Sequence, residues 1–460
     1  MKKLFGTDGI RGEAGLFPLD AATVSTLGRS LARHLAERPE SHDAAPRIVT
    51  GRDTRQSGAW IEHAFIEGAR QAGALCQSAG VITTPGVAFL ARTLAADAGV
   101  VISASHNPYQ DNGIKIFSPS GRKLDDATER LIEADIKTVE TRDRAGAEEK
   151  RTPAEELESA ESARLKERYL DYLSGEVAAG LSLEKLSLAV DCANGAASEL
   201  APALFRKLGA RVVAINCTPD GRNINRDCGS LHIEGLRRAV LEHRTHLGVA
   251  FDGDADRALF VDARGEFVDG DATLWIMAQY LASREELKNG MVVATVMSNI
   301  GLEIALRARG WELRRTDVGD KYVLEELLST GAAVGGEQSG HIIFPRQSLA
   351  GDGLITTLAV LRAMHDAGMG LDELTVGFTR YPQVLVNVRV REKRPFDEVA
   401  EIARAAHETS EKLGTRGRLL LRYSGTEPLA RVMIEGEQQD VIERYAETLA
   451  TTIRETLGAA

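Results

Sequence analysis

The chain has 460 residues, of which 43% are hydrophobic and 27% charged, and this length and balance predict a globular protein of several domains. Its formal net charge of −11 argues against a general nucleic-acid binder and against binding to anionic membranes. No apolar stretch approaches the ~20 residues that span a bilayer, and the four cysteines lack CxxC or zinc-site spacing, so we expect reduced thiols in a cytoplasmic protein.

Apolar runs that predict buried β-strands alternate along the chain with patterns that predict helices. The strand-like runs are residues 47–50, 99–102, 186–190, 249–251 and 291–295. The helical patterns include residues 59–70, and residues 157–173 within a charged linker. This alternation predicts α/β units with mostly parallel sheets, in which ligand loops lie at the carboxyl ends of strands.

The last part of the chain has a different pattern. An alternating strand (384–390), a helix (396–413), a strand (431–434) and a final helix predict a small α+β domain. We therefore expect four domains, three α/β domains with mixed, mostly parallel sheets and a C-terminal α+β domain, around a central cleft. Their expected ranges are residues 1–155, 156–252, 253–372 and 373–460.

A run of acidic residues, Asp252-Gly253-Asp254-Ala255-Asp256, follows the fourth of these strands and is succeeded by Arg257. Three carboxylates at alternate positions of a near-extended segment project to one side, and such close like charges call for a cation. Oxygen ligands that leave open positions for phosphate suit Mg²⁺, and the guanidinium adds a phosphate-binding fork. We interpret the run as a metal site rather than a solvated acidic loop.

Ser105 follows the second strand, in the sequence SHNP over residues 105–108. A serine becomes a nucleophile or phosphate carrier when a metal or a base polarises it. Its neighbour His106 does not complete a triad, because neighbours on an extended chain point apart, and no GxSxG motif is present. Alone, the segment is typical of a turn; beside a metal site, it favours a phosphate carrier.

Two glycine-containing loops carry further candidates. Glu337, Ser339 and His341 alternate along residues 335–341 (GGEQSGH), a spacing that suits a ring of sugar hydroxyls, although it also fits an ordinary polar turn. The second loop, residues 422–428 (RYSGTEP), combines a guanidinium, two hydroxyls and a glycine that frees backbone N–H groups to form an anion-binding nest. An ordinary hairpin turn is its alternative interpretation. Its candidate ligands are Arg422, Ser424, Gly425, Thr426 and the following Arg431.

Together with residues 5–12 (FGTDGIRG) and 111–117 (DNGIKIF), these motifs resemble those of the α-D-phosphohexomutase superfamily. Within it, the closest likeness is to the bacterial phosphoglucosamine mutases. The motifs fall in the same order and spread from residue 5 to residue 431, so the resemblance covers the whole chain. Gln338 strengthens the closer likeness, because relatives that act on glucose or mannose phosphates commonly carry Met there.

The resemblance implies roles for individual residues. Ser105 is expected to carry a phosphoryl group and to share one of its oxygens with Mg²⁺ held by Asp252, Asp254 and Asp256. Lys115 and Arg11 are the expected proton-handling pair, with either residue as the acid or the base. His106 is expected to orient the phosphoserine or to make a structural hydrogen bond, and Arg257 to assist transfer. Lys321 is a further expected ligand, with an ordinary surface lysine as the alternative.

The implied reaction interconverts glucosamine 6-phosphate and glucosamine 1-phosphate through a 1,6-bisphosphate, feeding amino-sugar nucleotide and cell-wall synthesis. The expected partners are the sugar phosphate and a hexose bisphosphate activator, with no nucleic acid and no membrane. A homodimer is compatible with the sequence. Three alternatives stay open: a phosphomannomutase or phosphoglucomutase, an aspartyl-phosphate hydrolase with Asp252 as nucleophile, and a non-catalytic sugar-phosphate sensor.

Overall fold

The computed structural model describes residues 4–6, 9–38, 45–140, 159–424 and 427–458. It divides into two compact units. Unit 1 consists of residues 1–288, 292–296 and 315–376, and unit 2 of residues 289–291, 297–314 and 377–460. Among the described residues, no helix is both long and apolar enough to cross a membrane.

The first sheet of unit 1 has the order β1-β2-β6-β5-β3-β4. Its strands are β1 (Phe5–Gly6), β2 (Gly9–Glu13), β3 (Arg47–Arg52), β4 (Leu75–Val81), β5 (Ala98–Ile102) and β6 (Asp111–Phe117). Its helices are α1 (Ala21–Ala36), α2 (Gly58–Gln71), α3 (Thr84–Thr93) and α4 (Asp126–Glu140). Strand β3 pairs in parallel with β4 and β5, whereas β6 is antiparallel to β5 and β2. Because β3 and β5 are parallel, the loops after them open at the same edge of the sheet.

Helices α1 and α2 pack closely because glycine replaces a side chain at both crossing points. A Cβ on Gly28 would lie 2.1 Å from the Phe65 carbonyl oxygen, and one on Gly68 would lie 1.9 Å from the Ser25 carbonyl oxygen. The close approach buries Phe65 completely against the sheet, and a fully buried aromatic or aliphatic side chain contributes about 1.5–3 kcal/mol. Alanine at either glycine would therefore force these helices apart.

The second sheet, also in unit 1, has the order β11-β10-β9-β7-β8. Its elements are α5 (Ala160–Asp171), a π-helical turn (Tyr172–Val177), β7 (Ser187–Asp191), α6 (Ala197–Lys207), β8 (Arg211–Ile215), a 3₁₀ turn (Gly229–Leu231), α7 (Glu234–His243), β9 (Leu247–Phe251), β10 (Ala258–Asp262) and β11 (Phe267–Val268). Strand β7 is parallel to β8 and β9, and β9 and β10 form an antiparallel hairpin. A domain boundary after residue 252 would divide this hairpin, so we propose that the second domain extends to Val268.

The third sheet has the order β13-β12-β14-β15. This part of the chain contains α8 (Gly270–Ser283), a turn (Lys288–Gly290), β12 (Met291–Thr295), α9 (Ile300–Ala308), β13 (Glu312–Thr316), α10 (Asp320–Thr330), β14 (Gly335–Gly336), β15 (Ile342–Ile343), α11 (Gly353–Ala367) and α12 (Leu371–Leu374). Strands β14 and β15 form a short antiparallel hairpin. Its loop contains Glu337, Ser339 and His341.

Unit 2 contains a three-stranded antiparallel sheet of order β16-β18-β17. Its elements are β16 (Gln383–Arg389), a 3₁₀ turn (Phe396–Glu398), α13 (Ala400–Leu413), a 3₁₀ turn (Gly414–Arg416), β17 (Arg418–Tyr423), β18 (Leu429–Glu435) and α14 (Gln439–Leu457). Alternate residues of the strands, such as Val388 and Val432, bury one face in a core shared with α14. The predictions of α/β units with mixed sheets and of a C-terminal α+β domain are confirmed.

Candidate active site

The acidic run forms the loop of the β9–β10 hairpin. Asp252, Asp254 and Asp256 are all buried, and one oxygen from each lies within 4.8 Å of the other two. Between them, Ala255 adopts a left-handed backbone conformation (φ +54°), which turns the chain within the loop. The three carboxylates therefore converge, although the run is a turn and not the near-extended segment that the alternating pattern predicted.

These carboxylates fit a divalent cation. Lys115 Nζ lies 2.8 Å from Asp254 Oδ2 and 3.3 Å from Asp256 Oδ2. The other oxygens, Asp254 Oδ1 and Asp256 Oδ1, are buried and accept no hydrogen bond from any described residue. An unsatisfied buried acceptor costs about 1–3 kcal/mol, and more when it is charged. A hard cation would satisfy both oxygens at once.

Burial and neighbouring charges shift the pKa values of Asp252 and Asp256 in opposite directions. Burial raises the pKa of Asp252 well above its usual range, and the nearby Asp256 and Asp254 charges raise it further. Burial also disfavours the Asp256 carboxylate, but Lys115 and His341 outweigh this effect and hold the pKa of Asp256 well below its usual range. Arg257 stands close by, with Nε 4.0 Å from Asp252 Oδ2 and 3.8 Å from Asp256 Oδ1. A cation bound among the three carboxylates would counter the repulsion from Asp256 and Asp254 that helps to raise the pKa of Asp252.

Ser105 lies in the loop after β5, and its hydroxyl contacts the acidic run. Its Oγ donates a hydrogen bond of 2.5 Å to Asp252 Oδ2, and the side chain is buried. His106 Nδ1 lies 3.3 Å from the same Oγ. Burial, with the nearby charges of Arg257 and Arg11, lowers the pKa of His106 to about 4, so the imidazole is neutral at pH 7. The first two sheets thus contribute the serine and the acidic loop to one site.

The two expected proton-handling residues lie on neighbouring strands of the first sheet. Lys115 is on β6, an inner strand flanked by β2 and β5, and is 2% exposed, so it is not a solvated lysine at a strand edge. Arg11 is on β2, where it pairs in register with Gly113. The Arg11 charge is near enough to His106 to help lower the pKa of that imidazole.

The β14–β15 loop also reaches the acidic run. His341 Nδ1 lies 3.7 Å from Asp256 Oδ1; burial favours the neutral imidazole, but Asp256 outweighs it and raises the pKa of His341 to about 9. Within the loop, Glu337 Oε2 accepts a 3.1 Å hydrogen bond from Ser339 Oγ. Gln338 contributes its carbonyl oxygen, which accepts from the Gly270 N–H at 3.0 Å, so this residue shapes the loop.

Lys321 is one predicted residue that the structure does not bring to this cluster. Its Nζ donates to Asp126 Oδ1 at 2.9 Å, and its side chain is 40% exposed. The preceding Asp320 stands nearer the site, with Oδ2 3.9 Å from His341 Nε2. Sequence reasoning missed Asp320, and it also missed Thr84, whose hydroxyl donates to Asp254 Oδ2 at 2.5 Å.

In unit 2, the predicted phosphate loop joins β17 to β18. Arg422 and Arg431 are paired in register on these strands, and burial together with the Arg431 charge lowers the pKa of Arg422. Ser424 is buried; its carbonyl accepts from Lys393 Nζ at 2.6 Å. Glu427 Oε2 lies 3.5 Å from Arg431 Nη2. Like charges opposite each other are destabilising, so the paired Arg422 and Arg431 favour an anion between their guanidiniums. Gly425 and Thr426 lie outside the described residues.

Four successive segments match one family of domains. Residues 2–143, 167–265 and 269–381 match phosphoglucomutase/phosphomannomutase alpha/beta/alpha domains I, II and III, and residues 385–452 match the C-terminal domain of the same family. The phosphoglucosamine mutase of Solibacter usitatus (strain Ellin6076) is 50% identical over 457 residues, which cover 99% of each chain. The chain belongs to the phosphoglucosamine mutase family. It is an enzyme of the isomerase class, an intramolecular phosphotransferase.

Other relatives agree with this placement. The phosphoglucosamine mutase of Myxococcus xanthus (strain DK1622) is 43% identical over 457 residues, covering 99% of this chain and 98% of the relative. A phosphoglucomutase/phosphomannomutase family protein from Burkholderia thailandensis has the same fold, with a TM-score of 0.77 at 23% identity over 98% of this chain and 97% of that one. Aspergillus fumigatus N-acetylphosphoglucosamine mutase, solved in complex with GlcNAc-6P and magnesium, gives a TM-score of 0.63 at 18% identity, covering 98% and 95%. The predicted superfamily and fold class are confirmed.

Proposed function

We propose that the chain interconverts glucosamine 6-phosphate and glucosamine 1-phosphate, with Ser105 as the phosphate carrier. The observation that carries this proposal is the 2.5 Å hydrogen bond from Ser105 Oγ to Asp252, a member of the buried carboxylate triad. A buried serine hydroxyl beside three converging carboxylates suits phosphoryl transfer, in which positioning and charge neutralisation supply most of the catalysis. The full-length relatives named phosphoglucosamine mutase support the amino sugar as the substrate.

The carboxylates of Asp252, Asp254 and Asp256 are proposed to hold Mg²⁺, together with one oxygen of the phosphate on Ser105. When bound, the cation neutralises the negative charge that develops during phosphoryl transfer. The proposed metal site is supported by two buried carboxylate oxygens, Asp254 Oδ1 and Asp256 Oδ1, that accept no hydrogen bond from any described residue. Magnesium in the Aspergillus fumigatus complex agrees with this choice of metal.

In the first half-reaction, a free hydroxyl oxygen of the sugar phosphate attacks the phosphorus on Ser105. A new P–O bond forms to the sugar, the P–Oγ bond breaks, the sugar hydroxyl loses its proton, and Ser105 Oγ gains one. We assign this proton handling to Lys115 and Arg11. The Lys115 ammonium is held at 2.8 Å by Asp254 Oδ2, and the Arg11 guanidinium offers several N–H donors for phosphate oxygens. The neutral His106 orients Oγ, and Arg257 binds the phosphate in transit.

The bisphosphate must then turn round and return its other phosphate to Ser105. Glu337, Ser339 and His341 are proposed to bind sugar hydroxyls throughout, because the loop that carries them lies beside the acidic run. The phosphate that is not reacting is assigned to Arg422, Ser424, Gly425, Thr426 and Arg431. The two paired guanidiniums support this assignment. Lys321 is proposed as a further ligand that would have to leave Asp126 to reach the sugar phosphate.

A coupled assay of the purified protein with Mg²⁺ and a hexose bisphosphate activator tests the proposal. Glucosamine phosphate should give a kcat/KM at least about tenfold above those of glucose and mannose phosphates, a difference of roughly 1.4 kcal/mol in transition-state binding. Equal or better turnover of glucose or mannose phosphate would instead make the chain a phosphoglucomutase or phosphomannomutase. Release of inorganic phosphate would indicate a hydrolase, and binding without turnover would indicate a sensor. Light scattering of the same sample tests the homodimer. We also propose a cytoplasmic location, which the four free cysteines support.

A further inference from the structure

The backbone of Ser105 is held in an uncommon conformation. Its φ is +53°, in the left-handed region that residues other than glycine seldom adopt. Such a conformation costs about 1–3 kcal/mol and persists only where the surroundings enforce it. Because the side-chain direction follows from the backbone, whatever holds Ser105 in this conformation also aims its hydroxyl at Asp252.

On the amide side, two buried side chains hold the residue. The Ser105 N–H donates to Ser103 Oγ at 2.9 Å, and the Ser103 hydroxyl donates to Asp53 Oδ2 at 2.6 Å. Both Ser103 and Asp53 are buried in the loops that follow β5 and β3. The position of this amide is therefore fixed by the first sheet.

On the carbonyl side, Arg55 encloses the loop. Its Nη2 donates to the carbonyl oxygens of Ser105 (2.9 Å) and Asn107 (2.8 Å), and its Nη1 donates to those of Asp111 (3.0 Å) and Pro108. Its Nε donates to the Asp53 carboxylate at 2.9 Å. The guanidinium is completely buried, and its five N–H groups form a rigid planar fork. One side chain thus shapes the whole turn from residue 105 to residue 111.

The same two carbonyls receive a second donor, from the part of the chain that forms the second sheet. Asn225 Nδ2 donates to the carbonyl oxygens of Ser105 (2.8 Å) and Asn107 (3.1 Å), and its own N–H donates to the Ala193 carbonyl at 2.9 Å. The acidic loop packs closely against the Ser105 carbonyl. A Cβ on Gly253 would lie only 2.5 Å from that carbonyl oxygen. Asn225 therefore ties the serine loop to the sheet that carries the carboxylates.

We propose that Arg55 and Asn225 are positioning residues that clamp the Ser105 and Asn107 carbonyls and so fix the approach of the phosphate-carrying oxygen to Asp252. Arg55 sets the shape of the loop, and Asn225 sets its distance from the acidic run. This inference rests on the proposed function of Ser105. Neither side chain acts on the sugar, so losing the clamp should slow phosphoryl transfer while leaving substrate binding nearly unchanged.

The test compares Asn225→Ala with Asn223→Ala in the mutase assay. Asn223 is also half-buried in the same loop, but its Nδ2 donates to Thr218 at 3.0 Å, within the loop. A misplacement near 1 Å can lower a rate about a hundredfold, so Asn225→Ala should lower kcat by about 10- to 100-fold with KM within about twofold. The rate at which a hexose bisphosphate phosphorylates Ser105 should fall by the same factor. Asn223→Ala should keep both values within about twofold of wild type.

A second variant, Arg55→Lys, keeps the charge but loses the fork, and it should show the same selective loss of kcat. The clamp is refuted if Asn225→Ala keeps a kcat within about twofold of wild type, or if Asn223→Ala loses as much. It is refuted equally if KM rises in step with the fall in kcat, because that would indicate a general loosening of the site. Wild-type protein without mutase activity in the same assay would instead refute the proposed function.

Discussion

Removal of the Lys115 ammonium should destabilise the protein strongly in the absence of Mg²⁺ and only weakly in its presence. Lys115 is 2% exposed and lies 2.8 Å and 3.3 Å from carboxylate oxygens of Asp254 and Asp256. Removing one partner of a buried ion pair costs about 3–5 kcal/mol, because the remaining charge is left uncompensated. A cation bound by the same carboxylates would supply that compensation, so Lys115→Met should lose much less stability once Mg²⁺ saturates the site.

The assay is chemical unfolding of wild type and Lys115→Met, in EDTA and in saturating Mg²⁺. Mg²⁺ at a hundred times its dissociation constant stabilises a protein by about 2.7 kcal/mol, and the gain should be larger for the variant, which has lost a competing cation. Lys321→Met is a matched control, because its ammonium lies 2.9 Å from the Asp126 carboxylate but is 40% exposed. An exposed pair contributes about 0–1 kcal/mol, so this control should lose little in either solution. Equal losses for Lys115→Met with and without Mg²⁺ would show that the cation does not bind these carboxylates.

Three further predictions concern other parts of the molecule. Asp254→Asn should raise the Mg²⁺ concentration needed for half-maximal activity and lower kcat, because a charged ligand is lost; a Mg²⁺ titration identical to that of wild type would contradict the metal site. Arg422→Ala should raise KM by about 10- to 100-fold, since a charge-assisted bond contributes about 1.5–3 kcal/mol, and should release bisphosphate that is visible by ³¹P NMR; unchanged KM without release would remove the loop from the phosphate site. Burial raises the pKa of Asp352 from 3.8 to about 6, so the folded state binds the carboxyl proton more tightly than the unfolded state does. The stability that this proton contributes to the folded state is present below pH 4 and is lost as the pH rises through 6. Asp352→Asn should therefore gain stability relative to wild type between pH 4 and 7, by up to roughly 3 kcal/mol in unfolding experiments; a difference independent of pH would contradict the burial argument.

The residues that could be predicted from the sequence follow apolar strands. Ser105 comes after β5, and the acidic run comes after β9, so strand ends alone indicated that these loops lie at sheet edges. Alternation within the acidic run then indicated that its carboxylates share one side. The loop with His341 was recognisable from its glycines, and the structure places His341 Nδ1 3.7 Å from Asp256 Oδ1.

What the sequence could not specify depends on contacts between distant loops. Arg55 and Asn225 lie 50 and 120 residues from Ser105, and no local pattern indicates which carbonyl a loop guanidinium or amide will reach. Lys321 was expected to be a ligand, but its Nζ donates to Asp126 of α4, which is far away in sequence. No local pattern shows where a domain ends: β10 pairs back on β9 across the acidic loop, and this pairing supports the boundary we propose at Val268 over the one expected at residue 252.

The most direct test of the account follows the phosphate on Ser105. Wild-type protein treated with glucosamine 1,6-bisphosphate should gain one phosphate on the peptide that contains Ser105, detected by mass spectrometry. Glucosamine 6-phosphate should then discharge it at a rate no slower than turnover. Ser105→Ala should fold normally, gain no phosphate and show no mutase activity, because no other group in the site replaces the carrier. Substantial mutase activity in Ser105→Ala, or a phosphate found on Asp252, would contradict the account and indicate an aspartyl-phosphate mechanism.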